Sequence, residues 1–486
     1  MEYKKMLAEI DFSKDLIGFF EDKNLCIINE SLLDGTFGLS RDILFDKRIL
    51  FNNDSLIDSF LLNAKAYNLN NEFFILLSNI IRNDFQEAIS NKSNNEILDF
   101  EETLEKESPF YSGIPVSKEM FVGRKDSIHK ILRNFPHIFK GQTRHFFLTG
   151  DRRMGKTSLI DFIGEYMKSY GVVSVYISNK GNDSVEFLAY EIVEGLIDEL
   201  TLPDESLKTK IVDFFQDHVE SVEFKGTKIK LTVDKNLSVS FKEDFINHLK
   251  SIYDEFGMDK KGILIVVDDI NGLSNSEEFV HWYKRMADTI QVSHINLPVY
   301  FLLAGYPEKF YNLTRLDESF GSIFAYDNLD RLSNMEVLEF FESSFGEKSM
   351  LIDKDALFYM ILFSQGQPLM MQELGESVFW ECPNGHIDKY IAIRGIINAA
   401  NVLASRQIKY TLNILSEDDK AIFKSLISDG KFFFNSSDIC DEGFLESMFD
   451  LSLIEVSKKE DYDFCFKNTL VFIYFWVEAI QGLIEK

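Results

Sequence analysis

Gly150-Asp151-Arg152-Arg153-Met154-Gly155-Lys156-Thr157 is the stretch whose reading decides the fold. An apolar run, His145 to Thr149, leads into it, and Ser158-Leu159-Ile160 leads out as a helix. The pattern is GxxxxGK[ST], and its spacing has a physical reason. Gly150 and Gly155 let the backbone curl, so that successive N–H groups from Arg153 and Met154 through Ser158 face one anionic centre. Lys156 can then reach β- and γ-phosphates as a point charge, and the Thr157 hydroxyl can ligate Mg²⁺. The helix that starts there adds its dipole to the anion site.

Working outward, Ile263-Leu264-Ile265-Val266-Val267 is a wholly apolar run that ends in Asp268-Asp269. Such a run places a carboxylate at the carboxyl edge of a buried strand, and Asp268 is the candidate to hold Mg²⁺ there. Further apolar strands are predicted at 145–149, 172–177, 299–303 and 323–326. Uninterrupted apolar strands alternating with helices indicate a parallel sheet covered on both faces, an α/β class. One strand is expected between the Gly-rich-loop strand and the acidic strand. Residues 221–240 break this rhythm. They alternate as strands do and carry turn signals at Lys225-Gly226 and Asp234-Lys235-Asn236, which predicts a β-hairpin. The helix after it places Phe241, Phe245, Leu249, Ile252 and Phe256 on one face and stops at Gly257. Ser274 with Glu277, and Ser333 with Glu336, are capping-box candidates.

Four domains are expected. Residues 1–107 read as a mostly helical accessory domain, with amphipathic stretches at 56–60 and 73–81. Residues 108–332 form the α/β core, entered through the Pro/Gly-containing Ser108-Pro109-Phe110 to Pro115. Helices at 353–365, 368–380 and 388–405 belong to a helical lid over 333–410. Residues 411–486 read helix, short helix, helix, hairpin, helix, the order of a winged helix, with the hairpin at 453–456 and 463–466.

Composition narrows the class. The chain has 486 residues, 45% of them hydrophobic, enough for a sizeable core. Its formal charge of -28 repels nucleic acid at long range unless basic residues cluster. The four cysteines, Cys26, Cys382, Cys440 and Cys465, make no CxxC pair or His/Cys ligand spacing and read as reduced cytosolic thiols. The N-terminus lacks the apolar segment of a signal peptide, and Leu470 to Val477 falls short of the roughly 20 apolar residues that span a bilayer. A cytoplasmic location without membrane contact is expected.

Several motifs together carry a family resemblance. Phe121-Val122-Gly123-Arg124 resembles the hhGR adenine box of AAA+ and STAND ATPases. Arg152-Arg153-Met154-Gly155-Lys156-Thr157-Ser158-Leu159 resembles the RRxGKTSL P-loop of the archaeal-type, origin-recognition-like group. Asp268-Asp269-Ile270-Asn271-Gly272-Leu273 resembles that group's acidic motif, and Gly366-Gln367-Pro368 its GxP lid signature. The likeness covers about 108–410, more loosely the C-terminal segment, and not 1–107. It implies a P-loop NTPase (ASCE/AAA+-like) fold binding ATP or ADP with Mg²⁺. Val122 and Gly123 would line adenine through their backbone, and Pro368 would touch the nucleotide from the lid. Lys156, Asp268 and Asp269 would be the catalytic set.

Three departures bear on activity. Asp269 stands where a longer, water-polarising Glu is usual. The fourth strand ends Leu303-Ala304-Gly305-Tyr306, without the polar residue many AAA+ proteins use to orient the attacking water. Ser322 stands where relatives carry an Arg, leaving Arg315 and Arg331 as the nearest arginine-finger candidates. Slow hydrolysis is the expectation, in a nucleotide-dependent switch acting on protein partners in signalling or defence. The alternatives are a DNA-associated origin-binding or remodelling ATPase, and a scaffold that holds ATP without turning it over. The recognition-helix candidate, Asp441 to Asp450, carries Asp441, Glu442, Glu446 and Asp450 and no base, which disfavours duplex DNA. The Lys458-Lys459 pair is too small to reverse that. Phe444, Met448 and Phe449 instead suggest a protein-contact face or core.

Overall fold

Apolar residues in an unbroken run can be buried on both faces only if covering layers lie above and below them, and the 115–330 region meets that demand. The computed structural model describes residues 84–90, 106–111, 113, 121–179, 183–200, 221–225, 228–232, 242–257, 259–364, 366–407, 414–428, 433–439, 442–451, 453–456, 463–466 and 474. Contacts divide the chain into two units, one within 115–330 and one drawn from 1–114 and 331–486. The expected stretches at 56–60, 73–81, 234–236 and 458–459, Phe241, and all of 470–477 but residue 474 lie outside the described residues.

The 115–330 unit begins with α1 (Lys125–Leu132) and α2 (Phe135–Ile138), followed by β1 (Arg144–Gly150), α3 (Lys156–Lys168), β2 (Val172–Ser178) and α4 (Val185–Leu200). The insertion forms a hairpin, β3 (Ser221–Lys225) paired antiparallel with β4 (Lys228–Thr232). Next come α5 (Phe245–Phe256), β5 (Gly262–Asp268), a 3₁₀ turn (Ile270–Leu273), α6 (Glu277–Val292), β6 (Val299–Gly305), α7 (Pro307–Leu316), α8 (Glu318–Gly321) and β7 (Ala325–Leu329). The sheet is five-stranded, in the order β2-β5-β6-β1-β7, and every pairing is parallel. One strand, β6, separates β1 from β5, as the sequence predicts.

Alternation along the strands splits the core into two layers. Phe147, Ile263, Ile265, Val267, Phe301 and Leu303 face the layer under α4, α5 and α6. Phe146, Leu148, Leu264, Val266, Tyr300 and Leu302 face the layer under α1, α2 and α3. Each such side chain, taken from water, contributes about 1.5–3 kcal/mol, which is why these runs tolerate no polar interruption before their ends. Those ends share one edge: Thr149 pairs with Gly305, and Ser178 with Asp268. Strand, Gly-rich loop and helix, with an acid ending the strand two places away, make this an α/β P-loop NTPase fold.

Two local expectations need correction. The cap of α6 is Ser276, whose Oγ accepts from Phe279 N at 3.1 Å, and not Ser274. Residues 270–273 close a 3₁₀ turn, and the Ser274 hydroxyl is spent donating to Asn271 O at 2.8 Å. The fifth strand begins at Ala325 rather than Ile323, because Phe324 is buried among the rings of Phe147, Tyr283 and Phe320 before pairing starts.

The described residues of the other unit are mainly helical: α9 (Asn334–Glu347), β8 (Leu351–Ile352), α10 (Lys354–Ser364), α11 (Pro368–Glu381), β9 (His386–Ile387) and α12 (Lys389–Gln407). Ser333 and Glu336 form the expected capping box at the start of α9. Phe110 is buried against Phe340 and Phe345, with ring centroids 5.8 and 4.9 Å away. Residues 84–90 are helical, and Asp84 accepts from Tyr359 Oη and Lys389 Nζ at 2.5 and 2.9 Å. Beyond these lie α13 (Glu417–Ser428), β10 (Phe433–Phe434), α14 (Glu442–Asp450), β11 (Ile454–Val456) and β12 (Phe464–Phe466). The three strands form an antiparallel sheet in the order β10-β12-β11. Phe444 and Met448 of α14 are buried, so they serve as core, while Phe449 is partly exposed beside Phe464 at 5.5 Å.

Candidate functional site

The loop between β1 and α3 turns through two left-handed residues, Arg153 at φ 68° and Gly155 at φ 82°. Gly155 is the N-cap of α3, so the helix begins at Lys156, and the N–H groups of its first turn have no carbonyl one turn earlier within the helix to bond. Met154 is buried and pins the loop to the core, while Arg152 and Arg153 are exposed. Thr157 and Ser158 lie in the first turn of α3.

Lys156 folds back over the loop. Its Nζ donates to the carbonyls of Gly150 and Asp151 at 2.6 and 2.8 Å and stands 4.9 Å from the centroid of the Tyr306 ring. Burial lowers the ammonium's pKa, and Asp268, Asp151, Asp269 and Glu308 oppose that shift. The charge is therefore held by carbonyl dipoles and an aromatic face, partners that an incoming anion can replace.

Asp268 ends β5 and is only 7% exposed. Its Oδ2 accepts from Thr157 Oγ1 at 2.7 Å and from Tyr176 Oη at 2.9 Å, and its Oδ1 accepts from the backbone N–H of Asp269 at 2.9 Å. Register explains the meeting with Tyr176. Ser178 is level with Asp268 and Tyr176 with Val266, so a long side chain two residues back reaches forward to the carboxylate. Burial raises the Tyr176 phenol's pKa, and Asp268 raises it further, so the phenol stays a donor.

Asp269 is exposed, and its backbone is left-handed at φ 57°. Asn271 Nδ2 donates to its Oδ1, and Asn271 Oδ1 accepts the backbone N–H of Tyr306 at 3.2 Å. The tips of β5 and β6 are thereby joined through one amide.

Phe121 stacks on Phe162 of α3, with centroids 4.7 Å apart and planes 16° apart. Arg124, itself left-handed, donates to Met154 O at 3.0 Å and to Asp330 O. These contacts hold Val122 and Gly123 beside the loop. Lys156, Thr157, Asp268 and Asp269 thus gather at one edge of the sheet, with Val122 and Gly123 at its flank. Pro368 belongs to the other unit, where it is the first residue of α11 after a left-handed Gly366. Arg315 lies 5.9 Å over the Tyr311 ring.

Sequence reasoning missed Tyr176, Asn271 and Tyr306. Aligning the ends of the predicted strands would have brought Tyr176 level with the acidic tip. Nothing in local spacing marks the amide of Asn271.

Oxygen donors from Thr157 and Asp268 suit a hard cation such as Mg²⁺. Among the described residues no group of three or more His, Cys, Asp or Glu could hold a metal by itself, so such an ion would need further oxygens from a ligand. No helix among the described residues is long and apolar enough to cross a membrane.

No family model matches the chain, and no curated protein matches it in sequence. Solved structures are similar to it. The ORC2 protein of Aeropyrum pernix, described in ADPNP–ADP complexes, is 11% identical, with 75% of this chain and 95% of that chain covered and a TM-score of 0.46. A Walker-type ATPase of Pyrococcus abyssi is 15% identical, covering 75% and 97%, with a TM-score of 0.43. Cdc6p from Pyrobaculum aerophilum is 13% identical, covering 76% and 98%, with a TM-score of 0.41.

Proposed function

We propose that this chain is a cytoplasmic ATP-binding switch of AAA+/STAND type that hydrolyses ATP slowly and acts through protein partners in signalling or defence. The observation that carries the reading is the Thr157–Asp268 contact at 2.7 Å beside the retracted Lys156. A hydroxyl, a buried carboxylate and an ammonium with replaceable partners converge where loop N–H groups open.

In this reading Lys156 leaves the Gly150 and Asp151 carbonyls for β- and γ-phosphate oxygens. The N–H groups from Arg153 to Ser158 cradle the phosphates, and Gly150 lets the chain curl around them. Thr157 and Asp268 would hold Mg²⁺, which when bound neutralises charge on the phosphate oxygens. The backbone of Val122 and Gly123 borders adenine, and Pro368 keeps the nucleotide contact that the family resemblance implies for it. A water oxygen bonds to the γ-phosphorus while the bond from that phosphorus to the β–γ bridging oxygen breaks. The water's proton passes to the Asp269 carboxylate, and ADP and inorganic phosphate leave. Aspartate is one methylene shorter than glutamate, and a water-orienting group about 1 Å out of place costs on the order of 10²-fold in rate, which supports slow turnover. A nucleotide that binds one of two conformations more tightly shifts their populations, which is what makes a switch.

The partner follows from charge. A winged-helix reading of 411–486 makes α14 its recognition helix, and that helix exposes Glu446 and carries no basic residue. Such a surface repels phosphates and fits a protein.

Phosphate release from ATP by the full chain, beside Asp269→Ala, tests the reading. Slow release in the wild type, reduced about 10²-fold in the variant with ATP still bound, is the expected result. Bound ATP with no release from either protein would replace the switch with an ATP-holding scaffold.

A further inference from the structure

The tip of β6 ends in Gly305, which carries no side chain, and the next residue, Tyr306, lays its ring against the Lys156 ammonium. A Cβ on Gly305 would stand 3.4 Å from Asn271 Oδ1, so the space beside that strand tip is filled by an amide from the turn after β5. We propose that Asn271 is the positioning residue for Asp269, supplying from the β5–α6 turn the polar group that β6 lacks. The proposal rests on the hydrolytic reading of the site.

Three observations carry it. The first is orientation. A backbone N–H can only donate, so the amide atom facing Tyr306 N is the oxygen, and the atom facing Asp269 is the NH₂ group. The carboxylate therefore meets a donor and stays an acceptor. The second is leverage. Asp269 is exposed, and its left-handed backbone makes it the N-cap of the 3₁₀ turn, with no cap bond from its side chain. An exposed carboxylate on a short side chain samples several rotamers, and the hydrogen bond from Asn271 selects one. The third is connection. The same amide is anchored to Tyr306, whose ring lies under the Lys156 ammonium. A γ-phosphate that draws Lys156 forward changes the load on Tyr306, and Tyr306 is one hydrogen bond from the amide that sets Asp269. Asn271 thus ties the orientation of the proton acceptor to the occupancy of the phosphate position, without touching phosphate itself.

The role differs from a structural one in what it moves. ATP affinity, single-turnover phosphate release and a double-mutant cycle separate the two, using the full chain with Asn271→Ala, Asn271→Gln, Asp269→Ala and the double variant. Asn271→Ala is expected to bind ATP within about twofold of wild type, which reports an intact site, and to release phosphate about 10²-fold more slowly. Asn271→Gln, which keeps the amide, recovers part of that rate. In the Asp269→Ala background the Asn271→Ala change costs nothing further, because a residue acting through another loses its effect when that other is gone. Wild-type turnover that Asn271→Ala leaves unchanged overturns this proposal alone, as does an additive loss in the double variant. A wild type that binds ATP without releasing phosphate overturns it together with the hydrolytic reading, and a wild type that binds no ATP overturns the site.

Discussion

The two ends of β1 sit 5 to 6 residues apart and solve opposite problems, His145 near the amino end and Gly150 at the carboxyl end. His145 is stacked on Phe301 with the planes 5° apart, edged by Tyr283 and Phe324, and its Nδ1 meets Tyr283 Oη at 2.9 Å. Rings cover the imidazole, its Nδ1 is paired, and burial lowers its pKa to about 3. At the other end the polar groups meet partners that a ligand could replace, with Lys156 on carbonyls and Asp268 on two hydroxyls. One end is built for stability and the other for exchange. The difference teaches where chemistry lies on such a sheet: where side chains have partners that can be traded.

The sharpest break of this contrast is Lys156→Ala. At the exchanging end it removes the charge that meets the phosphates, and ATP affinity is expected to fall at least 10²-fold with thermal stability nearly unchanged, as read by calorimetric titration and melting. Wild-type affinity in that variant would remove the loop from the site.

Next is Tyr176→Phe, which takes one hydroxyl donor from Asp268 and leaves Thr157 in place. The Mg²⁺ concentration needed for half-maximal ATP binding is expected to shift about tenfold, since groups one bond behind a ligand commonly matter that much. An unshifted Mg²⁺ titration would make Tyr176 a bystander.

The ring-covered end is broken by acid. The imidazole's folded pKa lies below its unfolded value, so the unfolded chain takes up the proton first, and the stability this residue contributes at neutral pH is lost as pH falls from about 6.5 toward 3. Between pH 6.5 and 5 the loss is on the order of 1–2 kcal/mol. His145→Phe keeps a ring in the stack and removes the proton, so its urea midpoint is expected to fall less steeply over that window. Equal slopes in the two proteins would contradict this account of the buried imidazole.

The same contrast explains what could be read from sequence. Gly150 to Thr157 and Ile263 to Asp268 were legible because each is a local pattern: a turn chemistry, and an apolar run with an acid at its end. The hairpin, expected over 221–240 and seen at 221–232, and the capping box at Ser333 were legible for the same reason. Tyr176 was not, and neither was the Asn271 contact to Tyr306, because these partners lie far away in sequence and only parallel pairing brings the strand tips level. Ser274 misled because it closes the 3₁₀ turn at 270–273, its hydroxyl bonded back to Asn271 O, and the helix starts after it at Glu277. The shift of β7 to Ala325 reflects tertiary override, since Phe324 gains more from aromatic burial than from early pairing.

The most direct measurement is calorimetric titration of the full chain with ATP, in the presence of Mg²⁺ and in its absence. The account predicts a single site that tightens when Mg²⁺ is present, because Thr157 and Asp268 then engage the ion together with the phosphates. No heat of binding under either condition, or binding indifferent to Mg²⁺, would contradict it.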